Sequence, residues 1–122
     1  MNQPAHADEL LAVARAVRPH GIRGELSCIV LVPPVVDPGE VIVGRRLLLR
    51  DAQGDVHPAT GEAVRTHQDR WLVKLSGIDT MTDAETLRNV DLCLPRRELP
   101  SLPEGWFWEA DIQGCRVVDE RL

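Results

Sequence analysis

Apolar and polar positions alternate with a period of two along most of the chain up to Pro95, the pattern of strands that bury one face. Leu11, Val13 and Val17 alternate with Ala12, Ala14 and Ala16 until Pro19-His20-Gly21 turns the chain. A second strand follows Gly24, with Leu26, Cys28, Val30 and Val32 on its apolar face, and Pro33-Pro34 stops it. Asp37-Pro38-Gly39 reads as a loop ending near Gly44. Leu47 and Leu49 carry a third strand, Asp51 to Asp55 has hairpin chemistry, and a weaker fourth strand runs from about Ala59 to Thr66. Trp71, Val73 and Leu75 define a fifth strand, and Val90, Leu92 and Leu94 a sixth. Between these two the period changes: Thr82 and Glu85 have capping-box spacing, and Ala84, Leu87 and Arg88 continue a short helix to near Asn89.

Short strands separated by turn signals at roughly ten-residue intervals predict a mainly β fold, a small six-stranded antiparallel barrel with one short helix, because closure removes exposed edges. The barrel is expected over residues 10–96, after a tail of residues 1–9. Pro100 and Pro103 ahead of Gly105 mark residues 97–104 as a linker.

Composition narrows the classes of function. A chain of 122 residues, 43% hydrophobic and 27% charged, is sized and composed for a real core. Asp8 and Glu9 stand where a secretion signal would be basic, and no apolar run reaches the roughly 18 residues of a membrane span. Cys28, Cys93 and Cys115 are an odd number without CxxC spacing, which argues against a disulfide framework and for the reducing cytoplasm. A net charge of -5 weighs against generic nucleic-acid binding. Residues 79–122 carry ten acidic and five basic side chains, against nine and nine before them, so the C-terminal part favours a basic protein partner.

No phosphate loop, nucleophile elbow or H-E-x-x-H pair is present, and His6, His20, His57 and His67 lack ligand spacing, so neither an enzyme nor a metal or other cofactor is expected. Two segments stand out instead. Arg18-Pro19-His20-Gly21-Ile22-Arg23-Gly24-Glu25 reads either as a structural turn, with Gly21 and Gly24 supplying positive φ, or as a rigid loop presenting Arg18, His20 and Arg23 to an anion or phosphate backbone. Both readings can hold together. Three of the four aromatic residues are the consecutive Trp106, Phe107 and Trp108, which fit either a hydrophobic core or an exposed anchor for a protein partner.

Pro19-His20-Gly21-Ile22-Arg23-Gly24-Glu25 resembles the G-x-H-G-[IL]-R-G-E signature of the RimM family. Gly77-Ile78-Asp79 with Asp83-Ala84-Glu85 and Leu87-Arg88 is similar to its second block, and Leu92 to Pro100, Glu104-Gly105 and Asp111-Ile112, Gly114 and Val117 follow in the family's order. The resemblance covers roughly residues 10–119 and implies a barrel of the translation-factor type, a linker, and from residue 105 to 122 the beginning of an incomplete PRC-barrel domain. It further implies a non-enzymatic assembly factor that binds the immature small ribosomal subunit head and small-subunit ribosomal protein nineteen, promotes ribosomal RNA processing, and is monomeric when complete. The family's aromatic pair falls on Phe107 and Trp108; Ala14 and Arg18 replace usual glycines, and Asn89 stands at a helix-ending glycine. A general RNA-binding barrel without a specific assembly role is the alternative; it predicts a salt-steep affinity for bare RNA.

Overall fold

The computed structural model describes residues 9–106. Six strands form one closed antiparallel barrel: β1 (Leu10–His20), β2 (Glu25–Val30), β3 (Arg46–Arg50), β4 (Val56–His67), β5 (Arg70–Leu75) and β6 (Asp91–Pro95). Their order around the barrel is β1-β2-β5-β4-β3-β6, with β6 pairing back onto β1. The core is filled by the inward residues of each strand, among them Leu26, Cys28, Leu47, Trp71, Val73, Leu75, Leu92 and Leu94.

The six strands expected from alternation are all present, but β1 departs from a simple alternation. Val13 is buried as its place in the alternation implies, but Ala14 and Ala16, assigned to the other face, are buried too, and Val17 is only partly so. Two register shifts explain this. Against β2 the pairing slips between Ala16 and Arg18, and against β6 between Ala12 and Ala14, so Val17 and Val13 are each an extra residue that changes the strand's phase. A backbone that bends twice can close a small barrel.

The loop expected at Asp37-Pro38-Gly39 contains a short helix, α1 (Pro38–Ile42). The Asp37 side chain accepts the Glu40 N–H at 3.1 Å, Pro38 occupies the first turn, and Val41 and Ile42 are buried. Five residues are too few for a helical period to show in sequence. Backbone contact between α1 and β4 demands Gly61, where a Cβ would run into the Ile42 carbonyl. The second helix, α2 (Met81–Glu85), has its N-cap two residues earlier than the expected box. Thr80, not Thr82, is the N-cap, accepting from the Asp83 N–H at 3.0 Å, because Thr80 has the extended backbone that a cap requires. The helix expected to reach Asn89 ends at Glu85, and turns carry the chain on to Asn89, which takes the left-handed conformation (φ 68°) and donates its N–H to the Ala16 carbonyl at 2.7 Å, tying this segment to β1.

Past β6, Arg96–Glu98 make a single 3-10 turn, and Arg96 N–H bonds the Glu9 carbonyl at 2.8 Å. Leu99 and Leu102 then pack against the barrel core.

Candidate functional site

The β1–β2 hairpin is built by its glycines. His20 pairs with Glu25, leaving Gly21-Ile22-Arg23-Gly24 as a four-residue tip. Gly21 (φ 75°) and Gly24 (φ 92°) both occupy the left-handed region, where any side chain is strained. Their surroundings differ. Gly21 faces open space, whereas a Cβ on Gly24 would lie 2.7 Å from the Ile78 carbonyl carbon and against its oxygen. The tip is therefore seated on the backbone that follows β5.

That backbone is itself held. Lys74 Nζ bonds Asp79 at 2.8 Å and the Leu75 carbonyl at 3.1 Å, and lies 3.7 Å from Glu62. On the other side of the hairpin, Arg88 donates to the Val17 carbonyl at 3.3 Å while forking onto Glu85, so the bulge in β1 has a fixed partner. From this seat Ile22 projects with 75% of its surface exposed, beside exposed Arg23, and Gly24 is buried beneath them. An apolar side chain and a cation on a fixed tip are an unusual thing to show to water alone.

The structure extends the site beyond the hairpin. Glu25 accepts hydrogen bonds from Nη2 and Nε of Arg65, at 3.0 and 3.2 Å, across the intervening strand β5. Those hydrogen bonds hold the Glu25 carboxyl below the ordinary carboxylate range against the opposing effect of burial, with smaller electrostatic help from Arg65, His20 and Arg23. Arg70 Nη1 donates to Ser27 Oγ at 3.2 Å, and the rings of His20 and His67 have centroids 5.5 Å apart. Of the residues singled out in sequence, Arg18, His20, Gly21, Arg23 and Gly24 thus gather on one hairpin, and Arg65, His67 and Arg70 join them from β4 and β5. Sequence reading missed these three because only the placement of β5 between β2 and β4 brings them near. Their one local signal is that Arg65 and His67 share a face of β4.

Trp106 ends the described residues 42% exposed, its N–H bonded to the Pro103 carbonyl at 3.1 Å. Phe107 and Trp108 lie outside the described residues. Among the described residues, no group of three or more His, Cys, Asp or Glu side chains is placed to hold a metal ion, and no helix is long and apolar enough to cross a membrane. Burial pushes the Cys28 thiol up to about 12 and the Cys93 thiol up to about 11, so neither is an activated nucleophile.

A closed antiparallel barrel sealed by its first and last strands, with a glycine-bracketed hairpin seated on the β5 exit, defines a small β-barrel module. The chain belongs to the RimM family: the family model described as the RimM N-terminal domain matches residues 11–99. It is 32% identical over 117 residues to the ribosome maturation factor RimM of Pseudomonas aeruginosa, covering 96% of this chain and 65% of that protein. A similar relation, 29% identity over 118 residues, holds to the ribosome maturation factor RimM of Pseudomonas syringae pv. tomato. The chain spans just under two thirds of the length of these relatives. A crystal structure of a putative 16S ribosomal RNA processing protein RimM from Pseudomonas aeruginosa superposes with a TM-score of 0.68 at 30% identity, over 78% of this chain and 56% of that one. The solution structure of the RimM N-terminal domain from Thermus thermophilus shares the fold, with a TM-score of 0.57 at 21% identity, over 78% of this chain and 99% of that one.

Proposed function

We propose that this chain acts in maturation of the small ribosomal subunit as a non-catalytic assembly factor, docking on the immature subunit head and its protein nineteen in the cytoplasm and promoting ribosomal RNA processing. Membership in the RimM family supports the assembly role, since relatives carry the names ribosome maturation factor and 16S ribosomal RNA processing protein. One observation in the fold carries the reading to residues: Gly24 clamped on the Ile78 backbone holds Ile22 and Arg23 outward on a fixed tip. Such a tip contributes to binding without the entropic cost of ordering a loop, because its conformation is set before the partner arrives. Its apolar and cationic pair fits a ribonucleoprotein surface, with Arg23 toward phosphate and Ile22 toward protein.

In the same reading, residues 97–104 link the barrel to a second unit that begins near residue 105 as a PRC-barrel domain, and Trp106, Phe107 and Trp108 form a second contact, toward protein nineteen. Co-sedimentation of the complete protein with small-subunit precursors tests both contacts. Ile22→Ala with Arg23→Ala is expected to weaken association roughly tenfold or more, equivalent to about 1.4 kcal/mol or more, with the melting temperature nearly unchanged. Phe107→Ala with Trp108→Ala is expected to cost the association more, since buried aromatic anchors dominate interfaces. Wild-type co-sedimentation by a folded hairpin variant would remove the tip from the contact, and wild-type co-sedimentation by the folded aromatic variant would make that cluster core.

A further inference from the structure

The outer wall of the barrel holds two side chains that alternation would leave wet. Ser27 and Leu72 face each other across the β2–β5 ladder, between inward neighbours Leu26, Cys28, Trp71 and Val73. They point out of the barrel, yet Ser27 is 5% and Leu72 1% exposed. The wall is concave here. His20 closes β1 and His67 closes β4, strands that are not neighbours in the sheet, but their rings approach to 5.5 Å, and the Glu25–Arg65 ion pair passes over β5. A strongly twisted sheet is saddle-shaped, so a wall that curves round the core in one direction folds toward solvent along the other.

We propose that this saddle seats the phosphate backbone of a single-stranded RNA segment. Around the Ser27–Leu72 floor stand Arg18, Arg65 and Arg70, with Arg23 at the hairpin end, alongside the carboxylate of Glu25, which Arg65 holds, and that of exposed Asp69 in the β4–β5 turn. Among the described residues Arg18, Arg23 and Arg70 have no carboxylate partner, whereas Arg15, Arg45, Arg50, Lys74 and Arg88 each have one. Positive charge is thus left unneutralised mainly where the surface is concave, which is where a field is focused. Arg65 and Arg70 are pre-oriented by bonds to Glu25 and Ser27, the fixed planar donors that phosphate oxygens favour. The two imidazoles and half-exposed Ile29 add flat and apolar surface for unstacked bases. With a net charge of -5, the rest of the chain repels polyanions, so contact is confined to this face. The choice of RNA rests on the assembly-factor reading; the geometry by itself specifies an anion that carries several charges along a line.

Fluorescence anisotropy of the 122-residue chain with a labelled uridine-rich RNA strand in low salt tests the seat. Binding is expected to weaken with salt at about 0.7 logarithmic units per phosphate engaged. Arg18→Ala and Arg70→Ala should each flatten that slope by about one contact, and together cost roughly tenfold in affinity. Arg46→Ala, which removes a cation from β3 outside the saddle, should change little. Because the Arg18 side chain makes no bond among the described residues, its variant stays informative even where Arg70→Ala, which releases Ser27, lowers the melting temperature. No RNA binding in low salt, or an equal loss in Arg46→Ala, overturns the seat and leaves the hairpin contact with precursor particles standing. Polyglutamate competing as well as RNA would also overturn it, marking the face as a dock for acidic protein.

Discussion

Gly21 and Gly24 look equivalent in sequence and in backbone conformation, and the structure separates them sharply enough to test. Gly21→Ala adds a methyl group at φ 75° into open space, so its cost is conformational only, about 1 kcal/mol. Gly24→Ala incurs the same cost at φ 92° and places Cβ 2.7 Å from the Ile78 carbonyl carbon and 3.0 Å from that of Asp79. Neither is the end of a flexible side chain. Relief requires moving the β5 exit, which Lys74 holds through Asp79 at 2.8 Å and the Ile78 N–H through the Leu75 carbonyl at 3.2 Å. Overpacking against such a wall adds about 1–3 kcal/mol, for a total of about 2–4 kcal/mol. Urea titration followed by circular dichroism measures both variants, and in a domain of this size each kcal/mol corresponds to about 4–8 °C in melting temperature. The expected result is a Gly24→Ala loss at least twice that of Gly21→Ala. Equal losses would mean that the tip is not clamped by Ile78, and would take with them the argument that Ile22 and Arg23 are held in place.

Three further outcomes follow from local chemistry. Cys28 and Cys93 have folded pKa values of about 12 and about 11, above a reference of 9.0. Their contribution to stability is complete below about pH 9 and is lost as pH rises through the folded values, at up to about 1.4 kcal/mol per thiol per pH unit; denaturant midpoints measured from about pH 8 to 11 should fall, and Cys28→Ala should flatten the decline. Asp37→Ala removes the cap of α1 and is expected to cost about 1 kcal/mol, read by urea titration, whereas Thr82→Ala, which caps nothing, should change stability little. Asn89→Gly should be neutral or slightly stabilising because φ is 68°, while Asn89→Ala costs about 1 kcal/mol in the same titration.

Much of the barrel was legible because its strands bury one face and signal their ends with Gly and Pro. What escaped was whatever depends on phase or on distant pairing. The bulges at Val13 and Val17 change the phase of β1 twice within its eleven residues, and no residue type announces them. The five residues of α1 hold only Val41 and Ile42 to reveal a helix. Gly61 reads as an ordinary strand-weakening glycine until α1 is placed against it. For the site, the hairpin was legible as a motif, but the Arg65–Glu25 pair joins residues that only topology makes neighbours. No periodicity encodes it.

Strand β6 lies between β1 and β3, and it is the last strand of the barrel to be made. Until it arrives, both of its neighbours are open edges, and Leu10 must wait for Pro95 before its ladder can form. During synthesis the earlier strands can pair as hairpins, but the cylinder stays split along a seam whose two lips are free to recruit foreign strands. β6 is therefore a keystone: a chain arrested before Asp91 is not a smaller barrel but an adhesive sheet, and a nascent chain becomes safe only when five residues near the end of the barrel slide into the gap.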